Sequence, residues 1–289
     1  MASGRHIVIV TCERWPDLST SDAELAAELR LRGHDVAAHP WNAAPLDAFT
    51  GADQVVLRSN WDFHHDLAGF EDWLRDVDAG DAELHNAAEL VIGHNDKAYL
   101  EELRALGVPT PRTLALDDFD VAAVGAWMDS HGYERAVAKP AWGASGHLVE
   151  LVERHELEGS ATRWRARSDG RGLMVQQFVP DIAHGEHALV FFGGEYSHAL
   201  LRRPAADDFR VNTQYGGTMQ LASAVDQTAI EFAAAVLDRL PTVATYARVD
   251  VVGAGAAPTL MELELNEPAL GLHLAPGAAA RFADALLRG

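Results

Sequence analysis

The densest run of chemically capable side chains is Glu262-Leu-Glu264-Leu-Asn266-Glu-Pro268. Residues two apart on a strand project to the same side, so Glu262, Glu264 and Asn266 share one face. Oxygen donors crowded this way, two of them charged, are unfavourable unless a hard cation sits among them, and magnesium takes such ligands together with phosphate oxygens. Asp250, in Arg248-Val-Asp250-Val-Val252 on the preceding strand, can supply another ligand. A solvated edge strand also explains alternating glutamates. It requires neither the amide of Asn266 nor the chain-stopping Pro268, and these favour a metal centre.

Cations are scarce. The 289 residues carry 43 acidic and 23 basic side chains, a net charge of −20. That charge repels nucleic-acid phosphate and anionic membrane surfaces, so neither is an expected partner. The only two lysines, Lys97 and Lys139, are therefore informative. Lys139 ends a strand in Val137-Ala-Lys139-Pro-Ala-Trp-Gly143-Ala-Ser145-Gly146, where glycines let backbone N–H groups approach an anion beside a compact ammonium. The lysine precedes the glycines, so this is not a Walker A loop. Asn95-Asp-Lys97 is expected to open a helix whose positive end shares an anion with the ammonium; an ordinary surface lysine is the alternative. Arg202 and Arg210 flank a polar loop from Pro204 to Gly217, which includes Asn212. They could clamp a transferring phosphate or a substrate carboxylate, or belong to a solvated basic stretch.

These residues need elements to position them. Ile7 to Val10, His34 to Ala38 and Gln54 to Leu57 read as strands, and Ser21 to Arg32 and Phe70 to Val77 as helices, together a small parallel α/β unit. Arg58, Ser59 and Asp62 follow a strand end there, where open α/β sheets place ligands, so they are candidates to contact the acceptor substrate. Packing by Trp61 with Arg58 capping the sheet is the competing account. A helix is expected from Asp96 to Leu106, ended by Gly107 and followed by the stiff Val108-Pro-Thr-Pro111. Strands are expected at Ala136 to Lys139, His147 to Leu151 and Leu173 to Gln177, with helices at Asp120 to His131 and Glu153 to Arg167. Ala188 to Phe192 and Glu195 to Leu201 flank the hairpin signal Gly193-Gly194. A helix from Asp226 to Leu240 and strands Ala247 to Val252 and Thr259 to Leu265 complete the pattern. Boundaries near residues 89 and 178 divide it into three parts, 1–89, 90–178 and 179–289.

A chain that is 48% hydrophobic can bury a substantial core. No apolar run approaches the roughly 20 residues of a membrane span, and the expected location is the cytoplasm. The single cysteine, Cys12, excludes an intrachain disulfide and a thiolate zinc site, and behind a buried strand it reads as apolar filler rather than a nucleophile.

In their order along the chain these stretches resemble the ATP-grasp superfamily over roughly residues 90–272, with the N-terminal unit matching its usual preceding domain. Val56-Leu-Arg-Ser-Asn-Trp-Asp62, Lys139-Pro-Ala-Trp-Gly-Ala-Ser-Gly146 and Phe191-Phe-Gly-Gly-Glu-Tyr-Ser-His198 are similar to the subgroup that includes the cyclo-ligase of cycloserine biosynthesis. The resemblance implies an α/β (α+β) protein of three subdomains with ATP held between two of them. Lys97 and Lys139 would meet its phosphates under a lid of Gly143, Ser145 and Gly146. Gln176, Gln177, Phe178 and Val179 would be the hinge at the adenine, and Glu186 the acidic residue near the ribose. Asp250, Glu264 and Asn266 match the ligands of magnesium, for which manganese could substitute. Arg202 stands where relatives commonly place a lysine, and His187 replaces a small polar residue.

The activity so implied is phosphoryl transfer to a carboxylate, followed by attack of an amine on the acyl phosphate, with an amino acid or small peptide as substrate. A homodimer is compatible with the family. An intramolecular cyclo-ligase shares every ATP-site residue and consumes one substrate instead of two. A kinase that stops after phosphoryl transfer, or a nucleotide-binding module without catalysis, are the remaining alternatives.

Overall fold

The computed structural model describes residues 4–168, 170–253 and 257–288. Its first part is a four-stranded parallel sheet, order β2-β1-β3-β4, built from β1 (His6–Thr11), β2 (Asp35–Pro40), β3 (Gln54–Leu57) and β4 (Glu83–His85). Helices α1 (Thr20–Leu31), the short α2 (Asp47–Thr50), α3 (Leu67–Asp78) and α4 (Ala88–Asn95) connect or follow the strands. Strand β1 is apolar at every core position because both its faces are covered. Ile7 and Ile9 pack on Leu25 and Leu29, whereas Val8 and Val10 pack on Phe49, Phe70 and Leu74.

Beyond α5 (Tyr99–Ala105) comes an antiparallel sheet, order β5-β8-β6-β7, from β5 (Thr113–Leu116), β6 (Arg135–Pro140), β7 (Glu150–Glu153) and β8 (Leu173–Gln177). It carries α6 (Val121–His131), whose N-cap Asp120 accepts from Ala123 N, and α7 (Leu157–Arg165). The last sheet has the order β11-β10-β9-β12-β13: β9 (Glu186–Phe192), β10 (Glu195–Arg203), β11 (Thr218–Leu221), β12 (Tyr246–Val252) and β13 (Thr259–Glu264). Gly193 and Gly194 both have positive φ, 57° and 80°, as a tight hairpin turn between β9 and β10 requires. Helix α8 (Gln227–Leu237) covers one face, and α9 (Ala278–Leu287) joins the other to the parallel sheet, with Phe282 stacked on Phe192 and packed with Ile7 and Leu29 in one core. No described helix is long and apolar enough to cross a membrane.

Several expectations need correction. Helix α5 starts at Tyr99 rather than Asp96, and Lys97 stands in the turn after α4, directly before the α5 N-cap Ala98. The strand expected at His147 begins only at Glu150, because the preceding loop turns through left-handed backbone at Ser145, Gly146 and Leu148. Strands β4, β5 and β11 and helix α9 were not foreseen; the strands are only three or four residues long and lack the Val-Val-Leu run that marks β3.

Arg58, Ser59 and Asp62 do not face a ligand site. Arg58 is 2% exposed, pairs with buried Asp22 at 2.9 Å and donates to Pro268 O at 2.6 Å, while Ser59 Oγ donates to the same carboxylate. Asp62 accepts from Trp41 Nε1 and Asn42 Nδ2. Arg58 and Ser59 tie the end of β3 to α1 and to the segment after β13, and Asp62 ties it to the segment after β2. Removing one partner of a buried ion pair strands the other charge, so Arg58→Met should lower the unfolding free energy by about 3 to 5 kcal/mol, read as a fall in the urea midpoint at unchanged slope.

Candidate active site

The register of the last sheet assembles one polar face. Asp250 pairs with Glu262 across β12 and β13, Arg248 with Glu264, and Arg202 with Glu186 across β10 and β9. Asp250 also lies opposite Ala188, two residues from Glu186, so all six side chains project to the same side. The intervening Val249, Val251 and Leu263 face the apolar core under α8.

Asp250, Glu262 and Glu264 each offer an oxygen, and these atoms lie within 4.8 Å of one another. Three hard donors at that spacing suit magnesium. Asn266 lines the same cleft, where its amide oxygen accepts from Asn60 Nδ2 at 2.8 Å, and Glu262 joins the two expected carboxylates in the cluster. Arg248, which sequence reasoning passed over, is 3% exposed, holds Asp250 through two 2.8 Å bonds and also donates to Glu264. The signal for it was its place two residues before Asp250 on a strand, hence on the same face.

Crowding shows in the protonation of the face. Burial, reinforced by Glu262 and Asp250 and only partly opposed by Arg248, pushes Glu264 up to about 8. Burial and then Asp250 push Glu186 up to about 7. Burial also acts on Glu262, but Lys97 and Lys139 outweigh it and hold this carboxyl below the ordinary range. These are the properties of a site short of positive charge.

The cations converge here. Lys97 Nζ lies 3.3 Å from Glu262 and donates to Gly143 O at 2.9 Å, linking the acidic face to the loop after β6. Lys139 is buried and lines the cleft. Arg202 and Arg210 do not form the expected clamp. Arg202 turns into the sheet to donate to Glu186 and Asp250, at 2.8 and 2.9 Å, whereas Arg210 pairs with Asp208 at 2.7 Å and stacks over Tyr215. Both still line the cleft.

The loop of Gly143, Ser145 and Gly146 roofs the cleft and is pinned from the opposite side. Gln214 donates to Ser145 O, and Tyr215 Oη to Gly146 O. Gly146 has φ +67°, and a Cβ there would stand 2.8 Å from Asn212 Oδ1, so only glycine fits this close approach. At the far end Phe178, Val179, Ile182, Phe209 and Met261 make an apolar wall next to the segment leaving β8. In that segment Gln176 donates to Thr113 Oγ1, and the Gln177 amide oxygen accepts from Arg112 N. On the N-terminal side the lining residues are Trp61 and Phe63, the neighbours of the Asp62 proposed from sequence.

An apolar slot at one end, two lysines and a hard-donor cluster at the other, and a glycine loop above them can hold a nucleoside triphosphate. Burial, with Lys97 adding to it, lowers Lys139 to about 8. A bound polyphosphate restores the ammonium. ATP binding at pH 8.5 should therefore take up a proton and weaken as pH rises through 8, which calorimetry in buffers of different ionisation enthalpy reads directly. Lys139→Met should abolish the uptake.

Two family models match the sequence, "D-cycloserine synthetase DcsG, N-terminal domain" over residues 7–86 and "Prokaryotic glutathione synthetase, ATP-grasp domain" over residues 107–269. The cycloserine biosynthesis protein DcsG of Streptomyces lavendulae is 33% identical over 261 residues, spanning 85% of this chain and 86% of its own. The glutathione synthetase of Bradyrhizobium diazoefficiens is 32% identical over 181 residues, 60% of this chain and 53% of that enzyme. Among solved structures, the crystal structure of D-cycloserine synthetase DcsG superposes with a TM-score of 0.84 at 27% identity, covering 97% of this chain and 98% of that one. D-alanine–D-alanine ligase from Bacillus anthracis, complexed with ATP, shares the fold with a TM-score of 0.65 at 16% identity, covering 98% of this chain and 96% of that one.

Proposed function

The chain belongs to the ATP-grasp ligases, ADP-forming enzymes that join carbon to nitrogen, and from that premise we propose that it activates the carboxylate of an amino acid or small peptide as an acyl phosphate and transfers it to an amine. The observation that carries this reading is the convergence of Lys97, Lys139, Arg202 and Arg248 on a face holding Asp250, Glu262 and Glu264.

Lys97 and Lys139 bind the β- and γ-phosphates, and the loop at Gly143 to Gly146 excludes water above them. The adenine occupies the apolar slot at Phe178 and Val179. Glu264 and Asp250, with Glu262 or Asn266, would hold magnesium, or manganese in its place, which neutralises charge on the phosphoryl oxygens when bound. Arg248 and Arg202 then orient the two carboxylates and offer guanidinium N–H groups to charge developing between the phosphoryl group and the acceptor carboxylate. The carboxylate oxygen attacks the γ-phosphorus and ADP leaves. Nitrogen attack on the acyl carbon then forms the amide and expels phosphate. No side-chain nucleophile is needed.

A second reading, cyclisation of one substrate that carries its own nitrogen, is favoured by one specific observation. Trp61 and Phe63, which wall the cleft on the acceptor side, lie inside the segment that matches the N-terminal domain of D-cycloserine synthetase.

Purified protein with magnesium and ATP, offered a panel of amino, ureido and hydroxyamino acids with and without hydroxylamine, should release ADP only with its carboxylate and yield a hydroxamate. Glu264→Gln should lose both by about 10²-fold or more, as should removal of the metal with EDTA. A product made from a single substrate selects cyclisation. ADP release that never responds to a carboxylate contradicts the proposal.

A further inference from the structure

Among the described residues, four glutamates line the cleft: Glu186, Glu262, Glu264 and Glu267. Three of them have a cation. Glu186 pairs with Arg202 at 2.8 Å, Glu262 with Lys97 at 3.3 Å, and Glu264 with Arg248. Glu267 has no ion-pair partner among the described residues, and the hydrogen-bond donor acting on its carboxylate is its own backbone N–H. Lys97 and Arg248 act on it from a distance, but they are committed to Glu262 and to Asp250 and Glu264. The groups in electrostatic range of Lys139 are Glu262, Lys97 and Glu186, not Glu267.

The chain fixes Glu267 from both sides. Asn266 Oδ1 accepts from Asn60 Nδ2 at 2.8 Å, and Pro268 O accepts from Arg58 Nη2 at 2.6 Å. Asn60 and Arg58 are buried and lead directly into Trp61 of the N-terminal wall. Glu267 therefore stands at the seam between that wall and the acidic face, within electrostatic range of Glu264. A half-buried carboxylate without a countercharge is costly to the fold. The group that best completes it is a ligand's cation, and an aliphatic ammonium brings both the charge and three N–H donors.

We propose that Glu267 receives the protonated α-amino group of the carboxylate substrate and so restricts the site to free amino acids; this rests on the ligase reading above and names its substrate class. In an α-amino acid the ammonium is borne on the carbon next to the carboxylate. A carboxylate presented to the phosphoryl group at the acidic face thus carries its ammonium one carbon away, towards the seam that Glu267 occupies. The ammonium stays protonated and is not the attacking nitrogen, which comes from a second molecule or from elsewhere in the same one. A peptide has a neutral amide nitrogen beside its C-terminal carboxylate. It would leave Glu267 desolvated and without a countercharge, so the site selects a free amino acid over a peptide.

The test compares acids that differ in the ammonium alone. Wild-type and Glu267→Gln proteins are given ATP, magnesium and hydroxylamine with alanine of either hand or propionate, and with O-ureidoserine or its analogue lacking the α-amino group. Hydroxamate is measured. The wild type should favour the amino acid of a pair by about 10²-fold or more in kcat/KM, and Glu267→Gln, which keeps the shape of the side chain, should lose most of that preference through a raised KM for the amino acid. Manganese affinity, read by electron paramagnetic resonance, should be the same in the two proteins. Equal use of the paired acids by the wild type overturns the assignment and leaves the ligase reading standing. An undiminished preference in Glu267→Gln also overturns it, and so does an equal loss with both acids together with weaker manganese binding, which would make Glu267 a metal ligand. A wild-type protein that forms hydroxamate from no member of either pair overturns the ligase reading itself, and the assignment with it.

Discussion

Everything in the cleft depends on neutralising one acidic sheet face in a protein whose net charge is −20. Asp250, Glu262, Glu264 and Glu186 are brought together by strand register, and like charges at this spacing in a poorly solvated site cannot all ionise unaided. Arg248 and Arg202 lie among them and Lys97 closes on Glu262 from outside the sheet. The arrangement is compensated yet not saturated, since Glu186 and Glu264 remain well above their ordinary range. On the function proposed above, a divalent cation carried in with a polyphosphate would complete it. The same shortage of positive charge that would destabilise an empty protein thus becomes binding energy for the nucleotide.

The rest of the fold delivers partners to that face. The β6 strand presents Lys139, and the loop behind it curls over the cleft through left-handed turns that Gln214 and Tyr215 hold in place. Helix α9 and the buried Arg58–Asp22 pair lock the parallel sheet against the last one, so Trp61 and Phe63 form a fixed wall. Tyr246 Oη, whose single O–H lies between Leu57 O at 3.0 Å and Asn266 O at 2.9 Å, spans the same junction. The N-terminal wall of the cleft is therefore only as rigid as this interlock.

Much of this was legible in the sequence, for identifiable reasons. Alternation on a strand is local, so the shared face of Glu262 and Glu264 could be read directly, and rarity singled out Lys97 and Lys139. The Gly193-Gly194 turn followed from backbone sterics alone. What could not be read was long-range. Whether Arg58 or Trp61 faces the cleft depends on where Asp22 and Pro268 lie, 36 and 210 residues away from Arg58. The bond that Asn266 accepts comes from Asn60, far away in the sequence, and the turning of Arg202 into the sheet depends on Glu186 across a strand pair. The short β4 and β11 take their shape from the strands beside them and lack the apolar run that marks the equally short β3.

Acyl-phosphate formation is the claim from which the roles of the lysines, the acidic face and the arginines all follow, and oxygen transfer tests it most directly. The substrate carboxylate is labelled with ¹⁸O, using O-ureidoserine or the amino acid that stimulates ADP release, and the inorganic phosphate formed with the amide is analysed by mass spectrometry. The account predicts one ¹⁸O atom in each phosphate released, because the oxygen that attacked the γ-phosphorus departs with it. Product formation with unlabelled phosphate would contradict it.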